Sequence, residues 1–200
     1  MNTPNKLTLS RIVLVFVFMF FIFSHGLIYK LFALIIFTIA SLTDLYDGKL
    51  ARKMHQESDF GRFMDPIADK FLVLAAFLVF VEMKIIPAWM VILIISRELM
   101  ITGIRLFALT KKVVLASARG GKHKTVSQMF TIFVILGFLV FKEAFKNARF
   151  WSASVESATS WALLILMAIT TILTLTSGFS FLWNNRALFV DYERKNNQAG

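Results

Sequence analysis

Six apolar segments alternate with short polar stretches along the 200-residue chain. A bilayer core of about 30 Å requires roughly 20 consecutive apolar residues per helix. The pattern therefore predicts six membrane-spanning helices joined by short loops, over residues 7–23, 31–50, 61–81, 87–109, 125–141 and 159–183. The first segment is too long for the core of a signal peptide, and no small-residue cleavage site follows it, so we expect it to be retained.

The composition favours lipid over water as the solvent of these helices. Apolar residues make up 58% of the chain and charged residues 17%, against about 45–50% and 25% in soluble domains. Cysteine is absent, which excludes a thiolate nucleophile, a disulfide framework and cysteine-ligated zinc. Because no repeat or second domain is visible, residues 1–200 are predicted to form one membrane-embedded domain, with a polar cytoplasmic tail over about 184–200.

The net charge of +10 is typical of basic loops that face anionic lipid headgroups. With the N-terminus in the cytoplasm, few of the 22 Lys and Arg residues fall toward the opposite side, namely Lys30, Lys84, Lys142, Lys146 and Arg149. Since cytoplasmic loops are enriched in Lys and Arg, both termini are predicted to be cytoplasmic. The bias and the compact length favour a bacterial cytoplasmic (inner) membrane, and basic residues that flank apolar spans argue against a nucleic-acid partner.

Four aspartates are concentrated near the end of the second predicted helix and the start of the third. Asp44 and Asp47 are spaced i,i+3, and Asp65 and Asp69 are spaced i,i+4, so each pair shares a helix face. These helices are consecutive and antiparallel, so the pairs can meet in the cytoplasmic half of the bilayer. A helix cap or an ion pair explains one such aspartate, but four gathered carboxylates require cations. Hard oxygen ligands favour Mg²⁺ or Mn²⁺, and two such ions are used in phosphoryl transfer.

Small residues and one arginine lie beside these aspartates in the sequence. Gly48, Ala51 and Gly61 leave room for the close approach of a ligand or a neighbouring helix. The planar guanidinium of Arg52 is suited to clamping a phosphate. Taken singly, these residues are better explained by helix packing and by ordinary basic flanks on the cytoplasmic side.

The spacing of these residues resembles the signature of the CDP-alcohol phosphatidyltransferase family. All eight signature positions match between Asp44 and Asp69: D-x-x-D-G-x-x-A-R, eight residues, G, three residues, D, three residues, D. The resemblance implies an all-α integral membrane enzyme, a homodimeric bundle of six transmembrane helices with two divalent ions. Segments over 2–11, 96–105 and 121–128 are similar to the phosphatidylglycerophosphate synthases of that family.

The resemblance also implies roles for individual residues. Asp44, Asp47, Asp65 and Asp69 would bind the two ions, and Asp69 would be the base that deprotonates the acceptor hydroxyl. The CDP-diacylglycerol site would be lined by Gly48, Ala51, Arg52, Ser58 and Gly61, with Asn5 and Thr8 close by. The implied reaction is attack by glycerol 3-phosphate on the β-phosphorus of CDP-diacylglycerol, which releases CMP and forms phosphatidylglycerophosphate, with the active site facing the cytoplasm.

The acceptor brings its own phosphate and therefore needs cationic partners. The candidates are Arg97, Arg105, Lys122 and Lys124. By helical rise, Arg97 is about 15 Å from the start of its helix and so near the middle of the bilayer. The alternative for Arg97 is a buried ion pair with Glu98 or another carboxylate, and the alternative for the two lysines is a solvated loop that holds anionic lipid.

Other functions remain open at the level of sequence. A member of the same family with another acceptor, inositol phosphate or serine, would have the same aspartates. A small divalent-cation transporter could use them as an ion site, although transporter folds often show repeated halves and none is visible here. His25, His55 and His123 fall in predicted loops and are assigned no role.

Overall fold

The computed structural model describes the backbone of residues 3–54, 59–110, 121–146 and 152–186, and most side chains of 10–43, 70–110, 124–146 and 152–186. These residues form six α-helices and no strand: α1 (Thr3–Phe23), α2 (Leu27–Met54), α3 (Asp59–Glu82), α4 (Ala88–Thr110), α5 (Gly121–Phe145) and α6 (Ala153–Asn184). The predicted all-α fold is therefore confirmed for the described part of the chain.

Five of the six helices are longer than the apolar segments that predicted them. The second was expected over 31–50 and occupies Leu27–Met54, and the fifth was expected over 125–141 and occupies Gly121–Phe145. Hydropathy marks the apolar part of a helix, whereas backbone hydrogen bonds continue through polar residues beyond it. For the same reason His123, predicted in a loop, lies in α5. Pro87, expected to open the fourth helix, directly precedes it, since α4 begins at Ala88.

Local backbone features explain how α1 passes into α2, where α3 ends and where α6 begins. Gly26 joins α1 to α2 with φ of 113°, a left-handed conformation that favours glycine. Lys84 ends α3 with φ of 57°, and the next amide, of Ile85, donates to the Phe80 carbonyl at 2.9 Å, as in a Schellman cap. Ser152 caps α6, its hydroxyl accepting from the Val155 amide.

Aromatic side chains dominate the core where α1, α2, α3 and α5 meet. Phe18, Phe37 and Phe77 are fully buried. The Phe37 ring lies 5.6 Å from Phe18 on α1 and 5.4 Å from Phe133 on α5, measured between centroids. Such pairs add to the stabilisation from apolar burial, so α2 is held on both sides by ring contacts.

Large apolar side chains also cover the outside of the bundle. Examples on five of the helices are Phe20, Leu78, Ile92, Phe130 and Phe179, each more than half exposed. Two helical segments of the described chain, Lys124–Phe145 and Ser154–Asn184, are long and apolar enough to cross a membrane, and Ile12–Phe23 and Leu27–Thr43 are shorter apolar helices. An apolar exterior of this extent is typical of a surface that faces lipid or a partner.

Polar side chains instead meet between α5 and α6. Thr131 and Thr170 share a hydrogen bond of 2.7 Å between their hydroxyl oxygens, and the Gln128 amide donates to the Thr174 hydroxyl at 3.2 Å. All four residues are buried; we call them the polar seam. Hydrogen bonds between helices in an apolar medium contribute about 0.6–2 kcal/mol each, so the seam fixes the register of α5 against α6.

Replacing Thr170 with valine is expected to lower the free energy of unfolding by about 1 kcal/mol, because the Thr131 hydroxyl loses its partner across the seam. Thermal unfolding of the detergent-solubilised protein measures the effect. Thr176→Val is the matched control, since Thr176 is exposed on the same helix and donates only within it. The Thr131→Val/Thr170→Val pair should cost less than the sum of the two single changes, and strict additivity would contradict a direct bond.

Candidate active site

The structure places the four predicted aspartates on two neighbouring helices. Asp44 and Asp47 lie within α2, and Asp65 and Asp69 lie within α3. Both helices are continuous across these positions and contact each other, which preserves the i,i+3 and i,i+4 spacings. Four carboxylates on adjacent helices are a hard-oxygen donor set of the type that Mg²⁺ and Mn²⁺ prefer. Their side chains lie outside the described residues, so the ion site itself stays a prediction.

For the residues predicted to bind the CDP-lipid other than Ser58, the structure describes the helix on which each lies but not the side chain. Gly48, Ala51 and Arg52 belong to α2, Gly61 to α3, and Asn5 and Thr8 to α1, whereas Ser58 lies outside the described residues. Helix α1 packs against both α2 and α3, so these positions belong to three helices in mutual contact. Among the side chains that are described, no three of His, Cys, Asp or Glu lie close enough to share a metal ion.

A buried carboxylate joins three cations from three helices. Glu98 on α4 pairs with Lys70 of α3 at 2.8 Å through Oε2, and with the Nη1 of its neighbour Arg97 at 2.8 Å through Oε1. Lys124 of α5 donates to the same Oε1. We call these four side chains the Glu98 cluster. It is the point at which α3, α4 and α5 are tied together by charge.

The cluster combines deep burial with an excess of positive charge. The side chains of Glu98, Arg97 and Lys124 are 5%, 6% and 13% exposed, and that of Lys70 is 30% exposed. Moving charges out of water is costly unless they are paired, and here one anion serves three cations. The described part of this site therefore carries more positive than negative charge.

Lys70 connects the cluster to the aspartate motif. It follows Asp69 directly in the sequence, and consecutive Cα atoms are about 3.8 Å apart. Its Nζ donates to the Thr102 hydroxyl and to the Glu98 carbonyl, the latter at 3.3 Å. The end of the motif on α3 is thus fastened to α4 beside the cations.

The structure brings two of the four predicted acceptor-site cations into one cluster, and their binding of a phosphate stays a prediction. Arg97 and Lys124 meet at the Glu98 carboxylate, and Arg105 lies on the same helix as Arg97. The buried ion pair of Arg97 with Glu98, the alternative interpretation, is also present. Lys122 lies in α5, but its side chain is outside the described residues.

The sequence interpretation missed Lys70 and treated Glu98 only as a possible partner of Arg97. Two signals pointed to them. Lys70 is a cation next to a motif aspartate in an apolar helix, and Glu98 is a carboxylate in the middle of α4. Ionisable residues in such helices are functional candidates by default, and pairing them across helices would have required knowledge of the packing.

Comparison with known proteins decides the family. The family model described as CDP-alcohol phosphatidyltransferase matches residues 1–175. The chain belongs to the CDP-alcohol phosphatidyltransferase family. The matched residues include the four motif aspartates and every member of the Glu98 cluster. Among curated relatives, a "CDP-diacylglycerol--glycerol-3-phosphate 3-phosphatidyltransferase" of Bacillus subtilis is 42% identical over 68% of this chain and 76% of its own length.

Two further relatives have related names. A protein of the same name from Rickettsia typhi is 36% identical over 68% of this chain and 76% of its own length. A "Probable phosphatidylglycerophosphate synthase" of Mycobacterium tuberculosis strain H37Rv is 40% identical over 66% of this chain and 64% of its own length. For a family member, the motif on α2 and α3 beside a buried cationic cluster on α3, α4 and α5 is the natural candidate active site.

Replacing Glu98 with glutamine is expected to lower the free energy of unfolding by about 3–5 kcal/mol, because three buried cations lose their shared anion. Glu156→Gln is the control, since Glu156 pairs with Lys142 at 2.5 Å on the exposed surface and should cost less than about 1 kcal/mol. Thermal unfolding of both variants measures the difference. Equal stability of the two variants would contradict a central role for Glu98.

Proposed function

We propose that this chain transfers the phosphatidyl group of CDP-diacylglycerol to glycerol 3-phosphate, forming phosphatidylglycerophosphate and CMP. Membership of the family and the printed names of the relatives support this reaction. The observation that supports it most directly is Lys70, which links the aspartate motif on α3 to the buried cations of α4 and α5. One site thus combines a candidate metal-binding motif with cations for a second phosphate.

On the donor side, the aspartates of α2 and α3 would hold two divalent ions, Mg²⁺ or Mn²⁺. When bound, the ions would supply charge neutralisation of the diphosphate. Gly48, Ala51, Arg52, Ser58 and Gly61 would bind the CDP moiety, with Asn5 and Thr8 of α1 near it. Small residues permit the nucleotide to approach the helix backbone closely, and Arg52 would contact a phosphate as a bidentate donor.

On the acceptor side, the Glu98 cluster would bind the phosphate of glycerol 3-phosphate together with Arg105 and Lys122. A carboxylate that already pairs with three cations leaves them oriented and incompletely neutralised, which favours a phosphate-bearing acceptor over serine. Inositol phosphate meets the same requirement and stays an alternative. Buried cations beside the motif are unfavourable for a cation pathway, which argues against a divalent-cation transporter.

For the proton, Asp69 is the proposed base. It precedes Lys70, which contacts the cluster, so a phosphate bound there would bring the acceptor hydroxyl within reach of α3. Holding the hydroxyl and the diphosphate together is the main requirement of such a transfer, since proximity and orientation account for much of the barrier. The carboxylate then needs only to accept the hydroxyl proton as the bond to phosphorus forms.

We further propose that all six helices span a bacterial cytoplasmic membrane with both termini in the cytoplasm, and that the protein is a homodimer. The apolar exterior of the bundle and the two helices of spanning length support the membrane assignment. The Lys and Arg bias of the sequence supports the orientation. In this arrangement the acyl chains stay in the bilayer while the nucleotide reaches cytoplasmic water.

Purified protein with Mg²⁺ or Mn²⁺ is expected to release CMP from CDP-diacylglycerol when glycerol 3-phosphate is added. The assay compares glycerol 3-phosphate, inositol phosphate and serine at equal concentrations, because the cationic cluster favours phosphate-bearing acceptors. Release only with another alcohol would replace the acceptor but keep the family reaction. Absence of release with all three, from folded protein, together with divalent-ion uptake into vesicles, would favour the transporter hypothesis.

Asp44→Asn, Asp65→Asn and Asp69→Asn are each expected to reduce CMP release at least about 10³-fold, because each change removes a charged oxygen ligand from the ion site. Glu156→Gln serves as the control, since Glu156 pairs with exposed Lys142 away from the motif. Elution from a sizing column shows that the variants are folded. Retained activity in the Asp44 or Asp65 variant would contradict the two-ion site.

A further inference from the structure

One face of α6 contacts both arginines of α4. The Nη2 of Arg97 donates to the Ser177 hydroxyl at 3.2 Å. The guanidinium carbon of Arg105 lies 5.3 Å from the centre of the buried Phe181 ring, a cation–π distance. Ser177 and Phe181 are one turn apart and lie beyond the residues matched by the family model. Helix α6 therefore holds two side chains of the candidate acceptor site without belonging to the motif.

Between these two contacts lies Gly178, against which the Arg97 side chain is packed. A Cβ atom built on Gly178 would lie 2.9 Å from both Cγ and Nε of Arg97 and 3.5 Å from its Cδ. Carbon atoms in van der Waals contact are about 3.5–4.0 Å apart, so no larger residue fits without displacing Arg97. The Nε atom is buried with no hydrogen-bond partner among the described residues, as expected where the side chain crosses a bare helix backbone.

The Arg97 atoms that a Cβ at position 178 would displace are not the free end of a flexible side chain. The guanidinium of Arg97 is held at Nη1 by Glu98 and at Nη2 by Ser177, and the side chain is only 6% exposed. Pushing Cγ and Nε away from α6 must therefore move the guanidinium or break one of these bonds. Glycine also lowers helix stability relative to alanine, and the contact with Arg97 gives a packing reason for a glycine at this position of α6.

We propose that Gly178 is a positioning residue for acceptor binding: because it has no side chain, Arg97 can lie across α6 with its guanidinium directed to the Glu98 carboxylate. The role in acceptor binding rests on the proposed function, in which this cluster binds the phosphate of glycerol 3-phosphate. Ser177 has the same role through its hydrogen bond. Gly178 touches no substrate and acts only through Arg97.

The test measures CMP release while one substrate is varied and the other is saturating. Gly178→Ala is expected to raise the KM for glycerol 3-phosphate about tenfold, within the range of coupling between contacting residues, with the KM for CDP-diacylglycerol unchanged. Gly137→Ala is the matched control, because Gly137 also lies inside a helix but a Cβ there would meet nothing within 4 Å. Both KM values of the Gly137→Ala variant should equal those of the wild type.

A double-mutant cycle separates positioning from general damage. In an Arg97→Ala background no side chain is left to clash, so adding Gly178→Ala should leave the acceptor KM unchanged and should alter the Tm only as Gly137→Ala does, through helix propensity. Ser177→Ala removes the hydrogen bond without adding volume, and it should raise the acceptor KM selectively but by less. This variant decides the matter if Gly178→Ala does not fold: an unchanged acceptor KM in Ser177→Ala would overturn the proposal.

The outcomes distinguish this inference from the function on which it rests. If the wild type uses glycerol 3-phosphate and Gly178→Ala matches Gly137→Ala, the proposed function stands and Gly178 has no positioning role. Equal rises in both KM values, or additive effects in the cycle, would also overturn it. If the wild type releases no CMP with glycerol 3-phosphate, the acceptor role fails together with the proposed function. The Tm values of the double-mutant cycle alone then decide whether Gly178 accommodates the Arg97 side chain.

Discussion

The carboxylate of Glu98 is the constraint on which the candidate site depends. It draws Lys70, Arg97 and Lys124 from three helices to one buried point. Such a cluster is unstable without its anion, because each cation has lost most of its hydration. It is also incompletely neutralised with that anion, so the same interaction that ties α3, α4 and α5 together leaves positive charge available for a ligand. Stability and the proposed anion binding are two consequences of one arrangement.

In the remainder of the bundle, polar groups lie between helices and apolar groups lie outside, and this separation orients α6 toward Arg97. Hydroxyl and amide groups of α5 and α6 pair with each other in the polar seam, while large apolar side chains cover the outside. In an apolar medium, unpaired polar groups are costly, so the seam directs one face of α6 inward. Ser177 and Gly178 lie on the continuation of that face, where they meet Arg97.

Helix α3 contributes residues to both binding sites of the proposed reaction. Asp69 and Lys70 are neighbours in sequence, and they belong to the proposed ion site and to the Glu98 cluster respectively. Phosphatidyl transfer requires that the acceptor hydroxyl and the diphosphate be held together. A single helix that contributes to both binding sites keeps their separation constant, because a helix is stiff over one turn. The backbone of α3 would thus fix the distance between the two proposed substrate sites.

The sequence by itself determined the helical class, six segments, the aspartate motif and its spacing, because hydropathy and helical periodicity are local properties. It also identified Arg97, Arg105 and Lys124 as cations of interest. It misplaced the helix ends, since polar residues continue a helix past its apolar segment. Only the tertiary structure decided that Lys70 and Glu98 join Arg97 and Lys124, and that Gly178 accommodates Arg97. These contacts join residues 26 to 81 positions apart, such as Glu98 with Lys124 and Arg97 with Gly178, and no local pattern specifies which helix faces pack together.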